Sequence, residues 1–457
     1  MTYRIKFNKI TLLSLINVVG LCLIVSTTLL SQQSDSPSIK DARSLYYDSP
    51  SIDIARFFLQ PKKEYHIRYD HILADTIVIP DSCVLYFEGG SIAAPIKFND
   101  TRLSGQIRLK GSSISGSVTN DVFDASWLCN MDGKTDDAKN INHMIEVSNN
   151  IFFPSGDYYL ESTAIPSPKI PKSLHSQLIS HIGINKSNVS LFGQDNTRFI
   201  SETPIIMICA YSPPYQIDNS VSNLRFQNIT FIEKNDKENF HEFAHTLKLV
   251  GVNDCTISNC RFEDFWGDAI TLGHYGDTES TGERTRNQDI KIMNNYITGK
   301  GYNNRNGISI INGKNVSILN NTIDQVSSRK MPGAIDVEAN NAAYTVEDIT
   351  IAYNKINGSN GGVGAISIVS QNNAPAHRIL IENNIITNSV NGISFVIKSD
   401  DCVSDISVIN NTVDDKTHPF KFIGKARTKN WIVKDNTSTF DNRKFGGDIK
   451  IDNLILE

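Results

Sequence analysis

An all-β parallel solenoid is the fold class this sequence predicts, on three observations. Asparagines recur in a column about every thirty residues, short alternating strands recur in step with them, and the repeat contains no stretch of helical periodicity. Aligning segments of the form apolar-x-apolar-x-Asn-x-x-apolar puts Asn228, Asn259, Asn294, Asn320, Tyr353, Asn383, Asn410 and Asp435 in one position. Their separations are 31, 35, 26, 33, 30, 27 and 25 residues. A unit of that length made of strands of three to five residues is a coil of three short strands. A two-helix repeat would need 3.6-residue periodicity.

The second column reads Leu247-Lys248-Leu249, Ile270-Thr271-Leu272, Ile308-Ser309-Ile310, Ile335-Asp336-Val337, Ile366-Ser367-Ile368 and Ile393-Ser394-Phe395. Alternation along a strand sends the outer two residues of each triplet inward and the middle one outward. Each strand is expected to pair with its equivalents about 4.8 Å above and below. The asparagines fall where the chain must bend. Asn tolerates left-handed backbone and can hydrogen-bond along a stack, so their role is read as structural.

Composition supports a large core and narrows the partners. The chain has 457 residues, 40% hydrophobic and 20% charged, which excludes a disordered tail. Its 44 Lys+Arg against 49 Asp+Glu give −5, without basic runs, so nucleic acid is not the expected partner. Arg4, Lys6 and Lys9 precede an apolar stretch from Ile10 to Leu30 and a polar break at Ser31-Gln32-Gln33. That order predicts an export signal over residues 1–31, or an uncleaved anchor, and a secreted, periplasmic or cell-surface protein. The mature cysteines, Cys83, Cys129, Cys209, Cys255, Cys260 and Cys402, are too scattered for a disulfide scaffold or a zinc site and read as buried thiols.

Upstream of the repeats stands Asp132-Gly133-Lys134-Thr135-Asp136-Asp137. An amphipathic pattern through Ala138, Ile141, Met144 and Ile145 follows, then Ile151-Phe152-Phe153-Pro154-Ser155-Gly156-Asp157-Tyr158. This series resembles the entry segment of the pectate lyase superfamily, related to polygalacturonases: a D-G-x-x-D-D turn, a helix that closes the apolar end of the solenoid, and an F-P-x-G-x-Y strand. The resemblance implies a right-handed parallel β-helix over residues 121–440 with an N-terminal capping helix. Residues 32–120 are then a β-rich N-terminal module or extra coils, and 441–457 a C-terminal cap. It also implies that the second column lines a polysaccharide groove.

The outward residues of that column are Lys248, Thr271, Ser309, Asp336, Ser367 and Ser394, among which Asp336 is the one carboxylate. Glu338, two positions on, projects from the same side, and paired carboxylates suit acid–base work or Ca²⁺ binding. Arg305 lies one coil earlier; Asp268 and His274 bracket the strand two coils earlier. These five are the candidate catalytic groups, expected within roughly 10 Å along the axis. Lys248, Trp266, Tyr275 and His245 are the candidate substrate-binding residues, the aromatics as stacking platforms.

Hydrolysis would use Asp336 with Glu338 or Asp268, oriented by His274 and Arg305. Elimination would use Asp268, Asp336 and Glu338 to hold Ca²⁺ against a uronate, with Arg305 or His274 as base. The N-x-D, D-D, G-H-G and R-x-K set of polygalacturonase-type hydrolases is absent. Asp336-x-Glu338 matches the acidic pair of calcium-dependent lyases, but no lysine follows closely. His241-Glu242-Phe243-Ala244-His245 has the form of a zinc-protease signature on a helix. The residues after it align without a gap to a solenoid coil, which argues against that reading. The expected function is an exported enzyme cleaving a uronic-acid-containing polysaccharide. The alternative is a non-catalytic carbohydrate-binding or surface structural protein.

Overall fold

Three parallel ladders of short strands, each coil contributing one strand to every ladder, build the body of the protein. The computed structural model describes residues 44–47, 49–50, 52–214, 221–235, 238–275, 286–299, 303–326, 333–438 and 450–456. The segment read as an export signal lies outside the described residues, and so do residues 441–449. One coil runs Asn253–Ser258, Arg261–Glu263 and Ile270–Gly273. The next runs Asn287–Met293, Tyr296–Thr298 and Ile308–Ile310. Leu247, Ile270, Ile308, Ile335, Ile366 and Ile393 stack in register, the column the sequence predicts. Each is fully buried, as inward positions of a strand ladder must be. The architecture is an all-β parallel β-helix.

The eight bend positions all adopt left-handed backbone, with φ between 53° and 59°. The buried amide stack is carried one residue later. Asn295, Asn321, Asn354, Asn384 and Asn411 each donate Nδ2 to the Oδ1 of the next member, ending at Asn436, at 2.9–3.0 Å. The Asn-Asn pairs thus divide two tasks: the first residue turns the chain, and the second satisfies the backbone inside the turn.

The entry turn follows from its acidic residues. Asp132 accepts the N–H groups of Lys134 and Thr135 at 2.9 and 2.8 Å, which lowers its carboxyl to about 2. Asp136 accepts Ala138 N–H at 3.0 Å at the start of helix Ala138–Val147. That helix buries Ala138, Ile141, Met144, Ile145 and Val147, the stripe expected of a cap. It packs against strand Ser180–Ile184 and against the last N-terminal strand, Ser113–Val118. Residues 64–118 are extra coils: Glu64, Val84 and Arg102 pair in parallel, at a shorter repeat than the main solenoid. At the other end, strand Lys450–Leu456 adds a further parallel rung beside Arg427–Lys434. Cys83, Cys129, Cys209, Cys255, Cys260 and Cys402 are free thiols, all buried except the half-buried Cys402. Among the described residues no helix is long and apolar enough to cross a membrane.

Candidate active site

The outward residues of the Leu247–Ile393 ladder are not exposed. Lys248 is 8% accessible, and Thr271, Ser309, Asp336, Ser367 and Ser394 are at 0%. Arg305 and Asn306, which precede strand Ile308–Ile310, lie over this outer face and bond to Asp268, Ser309 and Asp336, and parallel strands are commonly covered on both sides. Asp336 is therefore a buried carboxyl and not the exposed charge its outward position suggests. What remains open is a cleft of about 410 Å³, lined among others by Glu242, Phe243, Lys248, His274, Arg305 and Glu338.

Arg305 is the hub. Its Nη1 donates to Asp268 Oδ2 at 2.7 Å, Nη2 lies 3.5 Å from Glu338 Oε2, and Nε lies 3.6 Å from Glu242 Oε1. The Asn306-Gly307 turn places it. Asn306 N–H donates to Asp268 Oδ1 at 3.0 Å, and a Cβ at Gly307 would lie 2.7 Å from Ala334 O, so the turn tolerates no side chain there. The surrounding carboxylates hold the guanidinium protonated, far above the physiological range, against the opposing effect of burial. Arg305 cannot serve as the base that elimination would require. It also stands where Asp268 and Glu338 converge, the place a Ca²⁺ ion would need. Among the described residues no group of three His, Cys, Asp or Glu side chains has metal-binding geometry.

Behind Arg305 lies a buried polar network. Burial pushes Asp268 up, while Arg305 pulls it down. His245 Nδ1 accepts Asp268 N–H at 3.2 Å, and burial drives this imidazole well below its ordinary pKa, so it is neutral. Burial first, and the charge of Glu338 second, push Asp336 well above the usual carboxylate range. Ser367 Oγ donates to Asp336 Oδ1 at 2.8 Å, and Asn306 Nδ2 reaches Oδ2 at 3.4 Å. Neither Asp336 nor Asp268 lines the cleft.

The remaining predicted residues divide. His274 lines the cleft, its ring stacked on Tyr344 at 4.4 Å with Nδ1 3.0 Å from the Tyr344 hydroxyl. Lys248 lines it too, with Nζ donating to Gln177 O at 3.1 Å. Trp266 and Tyr275 are not stacking platforms. Tyr275 is packed in an apolar cluster with Tyr211 and Val250 and donates its hydroxyl to Ser212 O. Trp266 is 3% exposed, edge-on to His241, and its backbone N–H donates at 2.8 Å to Glu233, which burial pushes up to about 8.

Sequence reasoning did not assign Glu242, Phe243 or Asn306. The first two lie in the His241–His245 segment, which is a turn and not a helix, with the two histidines sent to different neighbours. It carries no zinc-protease geometry. Phe243, 77% exposed at the cleft rim, is the aromatic surface that Trp266 and Tyr275 do not provide.

No family model matches the chain, and no curated protein matches it. Solved structures do. An exopolygalacturonase of Yersinia enterocolitica superposes with a TM-score of 0.52 at 15% identity, over 75% of this chain and 72% of its own. PfbA, a surface adhesin of Streptococcus pneumoniae, gives 0.46 at 15% identity over 73% and 91%. An alginate lyase from a Paenibacillus species gives 0.44 at 12% over 68% and 97%. At these identities the likeness speaks to architecture and not to chemistry. The chain has a parallel β-helix fold, shared with the exopolygalacturonase.

Proposed function

We propose that this chain is an exported carbohydrate-active enzyme that hydrolyses a polysaccharide in the 410 Å³ cleft. One observation carries the reading: Glu242 and Glu338, from different coils, flank a single guanidinium at 3.6 and 3.5 Å on the cleft wall. Glycosidic hydrolysis needs two carboxyls on either side of the scissile bond, one giving a proton and the other assisting the oxocarbenium-like centre or its water. Arg305 sets the spacing of the pair, and Asp268 and Asn306 position Arg305. Phe243 offers a face for a sugar ring. The volume falls within the roughly 300–1,000 Å³ of small-molecule clefts. Calcium-assisted elimination is disfavoured because the Arg305 guanidinium, a cation itself, occupies the point where Asp268 and Glu338 converge. Export rests on the charged, apolar, polar order of residues 1–33, and a secreted product beginning near Gln32 is its test.

The deciding assay sets reducing-end release against the ultraviolet absorbance of an unsaturated uronate, over a panel of neutral and uronic polysaccharides. New reducing ends without that absorbance are expected. Glu338→Gln and Glu242→Gln should each lower the rate by at least about a hundredfold. Absorbance rising with every new end would instead assign elimination to the His274–Tyr344 pair. Binding without any cleavage would make the chain a carbohydrate-binding protein.

A further inference from the structure

At the end nearest Lys248 the cleft is lined by Gln177. Between strands Gly156–Leu160 and Ser180–Ile184 the chain makes a long excursion ending in a 3₁₀ turn, Lys172–Leu178. Ile170 and Leu178 from this excursion pack on Cys209, Tyr211, Val250 and Tyr275, covering the outer face of the strand before Leu247–Val250. Ser167 N–H donates to the Tyr211 hydroxyl at 3.0 Å and Ala164 N–H to Ser180 O at 2.8 Å, so the wall is pinned at several points. Cys209 pairs with Lys248, Lys248 with Thr271, and Thr271 with Ser309. Lys248 is thus the first rung of the cleft beyond the wall. Glu338 stands three rungs further on, on the order of 14 Å along the axis.

Lys248 is poorly compensated for a buried cation. Its ammonium donates to one backbone carbonyl, Gln177 O, and among the described residues no carboxylate pairs with it. Beside it, Thr271 Oγ1 is buried, with no hydrogen-bond partner among the described residues. An ammonium and a hydroxyl left short of acceptors at the end of a cleft match an anionic oxygen group. In the other direction the row of Glu338 and Asn340 continues to Gln371 and the exposed Lys398.

We infer that the walled end of the cleft is a subsite for the terminal sugar of a chain, and that this sugar carries an anionic oxygen group, received by Lys248 and Thr271. The inference rests on reading the cleft as a polysaccharide site and adds that the substrate enters by its end. Cleavage would then release short fragments from one terminus.

The test is calorimetric titration of the full chain with galacturonate, glucuronate, glucose 6-sulfate and glucose. At least one anionic sugar should bind about tenfold or more tighter than glucose, and added salt should weaken it. A uronate response assigns a carboxylate, and a response to the sulfate alone assigns a sulfate ester. Lys248→Met should abolish the preference, while Lys248→Arg should keep it within a few fold, which separates loss of charge from loss of fold. Equal binding of glucose, no binding of any of the four, or a Lys248→Met variant that still prefers the anionic sugar overturns the subsite. Charge-selective binding without cleavage leaves the subsite standing and removes only the hydrolytic reading. Cleavage of a neutral polymer at mid-chain does the reverse.

Discussion

Replacing Arg305 by methionine removes the cation that, among the described residues, faces Asp268, Glu338 and Glu242 together, while keeping most of the side-chain volume. Asp268 is wholly buried, so at neutral pH the variant holds an uncompensated carboxylate. Breaking a buried pair on one side costs about 3–5 kcal/mol. For a chain of 457 residues, at about 2.1 cal/mol/K of unfolding entropy per residue, that is a loss of roughly 3–5 °C in Tm. The sign of the pH dependence follows from the same group. Burial already raises Asp268, and loss of Arg305 removes what pulls it down, so its folded-state pKa rises further. A carboxyl raised in the folded state binds its proton more tightly there, so stability falls as pH climbs above the unfolded value of about 3.9. The deficit of Arg305→Met should therefore be largest near pH 8 and shrink toward about pH 3, below the unfolded value, where Asp268 is protonated in both states. Thermal melts by circular dichroism across that range read it directly. A deficit of the same size at every pH would show that Arg305 acts through the packing of its stem, and the electrostatic account of the hub would fall.

Three further outcomes follow from buried polar groups and strained turns. Asp336→Asn should melt at or above the parent temperature near pH 8, because the raised carboxyl weakens the fold as it ionises, with the advantage vanishing below about pH 4; a variant that melts lower throughout contradicts this. Asn354→Ala should cost about 2–4 kcal/mol in denaturant titration, since it strands Ile318 O and Asn321 N–H inside the turn. Asn320→Gly, at the bend before that ladder, should by contrast change stability by less than about 1 kcal/mol. Tyr353 holds φ 59° and is 54% exposed as a residue, so Tyr353→Asn should stabilise by about 0.5–1 kcal/mol, visible as a raised denaturation midpoint.

The fold was legible because its determinants repeat. Each bend is one residue whose left-handed φ favours Asn or Asp, and eight copies in step are a signal that a single turn never gives. A second left-handed column passed unnoticed: Asn188, Asn223, Asp254, Asp289, Asn315, Asp348, Arg378, Asp405, Asn430 and Asn453, with φ between 51° and 62°. It sits near the start of the strands that follow the Leu247–Ile393 ladder, with Asn, Asp and Arg intermixed. No one residue type marks the period. Its cross-coil bonds, such as Asn223 Nδ2 to Asn188 Oδ1 at 2.8 Å, need only a short polar group at each turn.

The site was less legible, for a reason that lies in the same architecture. Strand periodicity tells which side of a ladder a residue faces, and it placed Lys248, Asp336 and Glu338 correctly on the outer side. Whether that side meets water is decided by the segments between strands, whose lengths vary and whose paths follow no period. The excursion before Ser180 buries Tyr275, Cys209 and much of Lys248. The His241–His245 turn brings Glu242 and Phe243 to the rim. Asp336 therefore looks like the reactive carboxylate in sequence, whereas in the fold it lies beneath the cleft and Glu242 takes the exposed place. In a solenoid the strands fix where chemistry can be held, and the irregular segments select which of the held groups a substrate can reach. The catalytic pair proposed here accordingly joins one strand residue, Glu338, to one loop residue, Glu242, through an arginine that touches both.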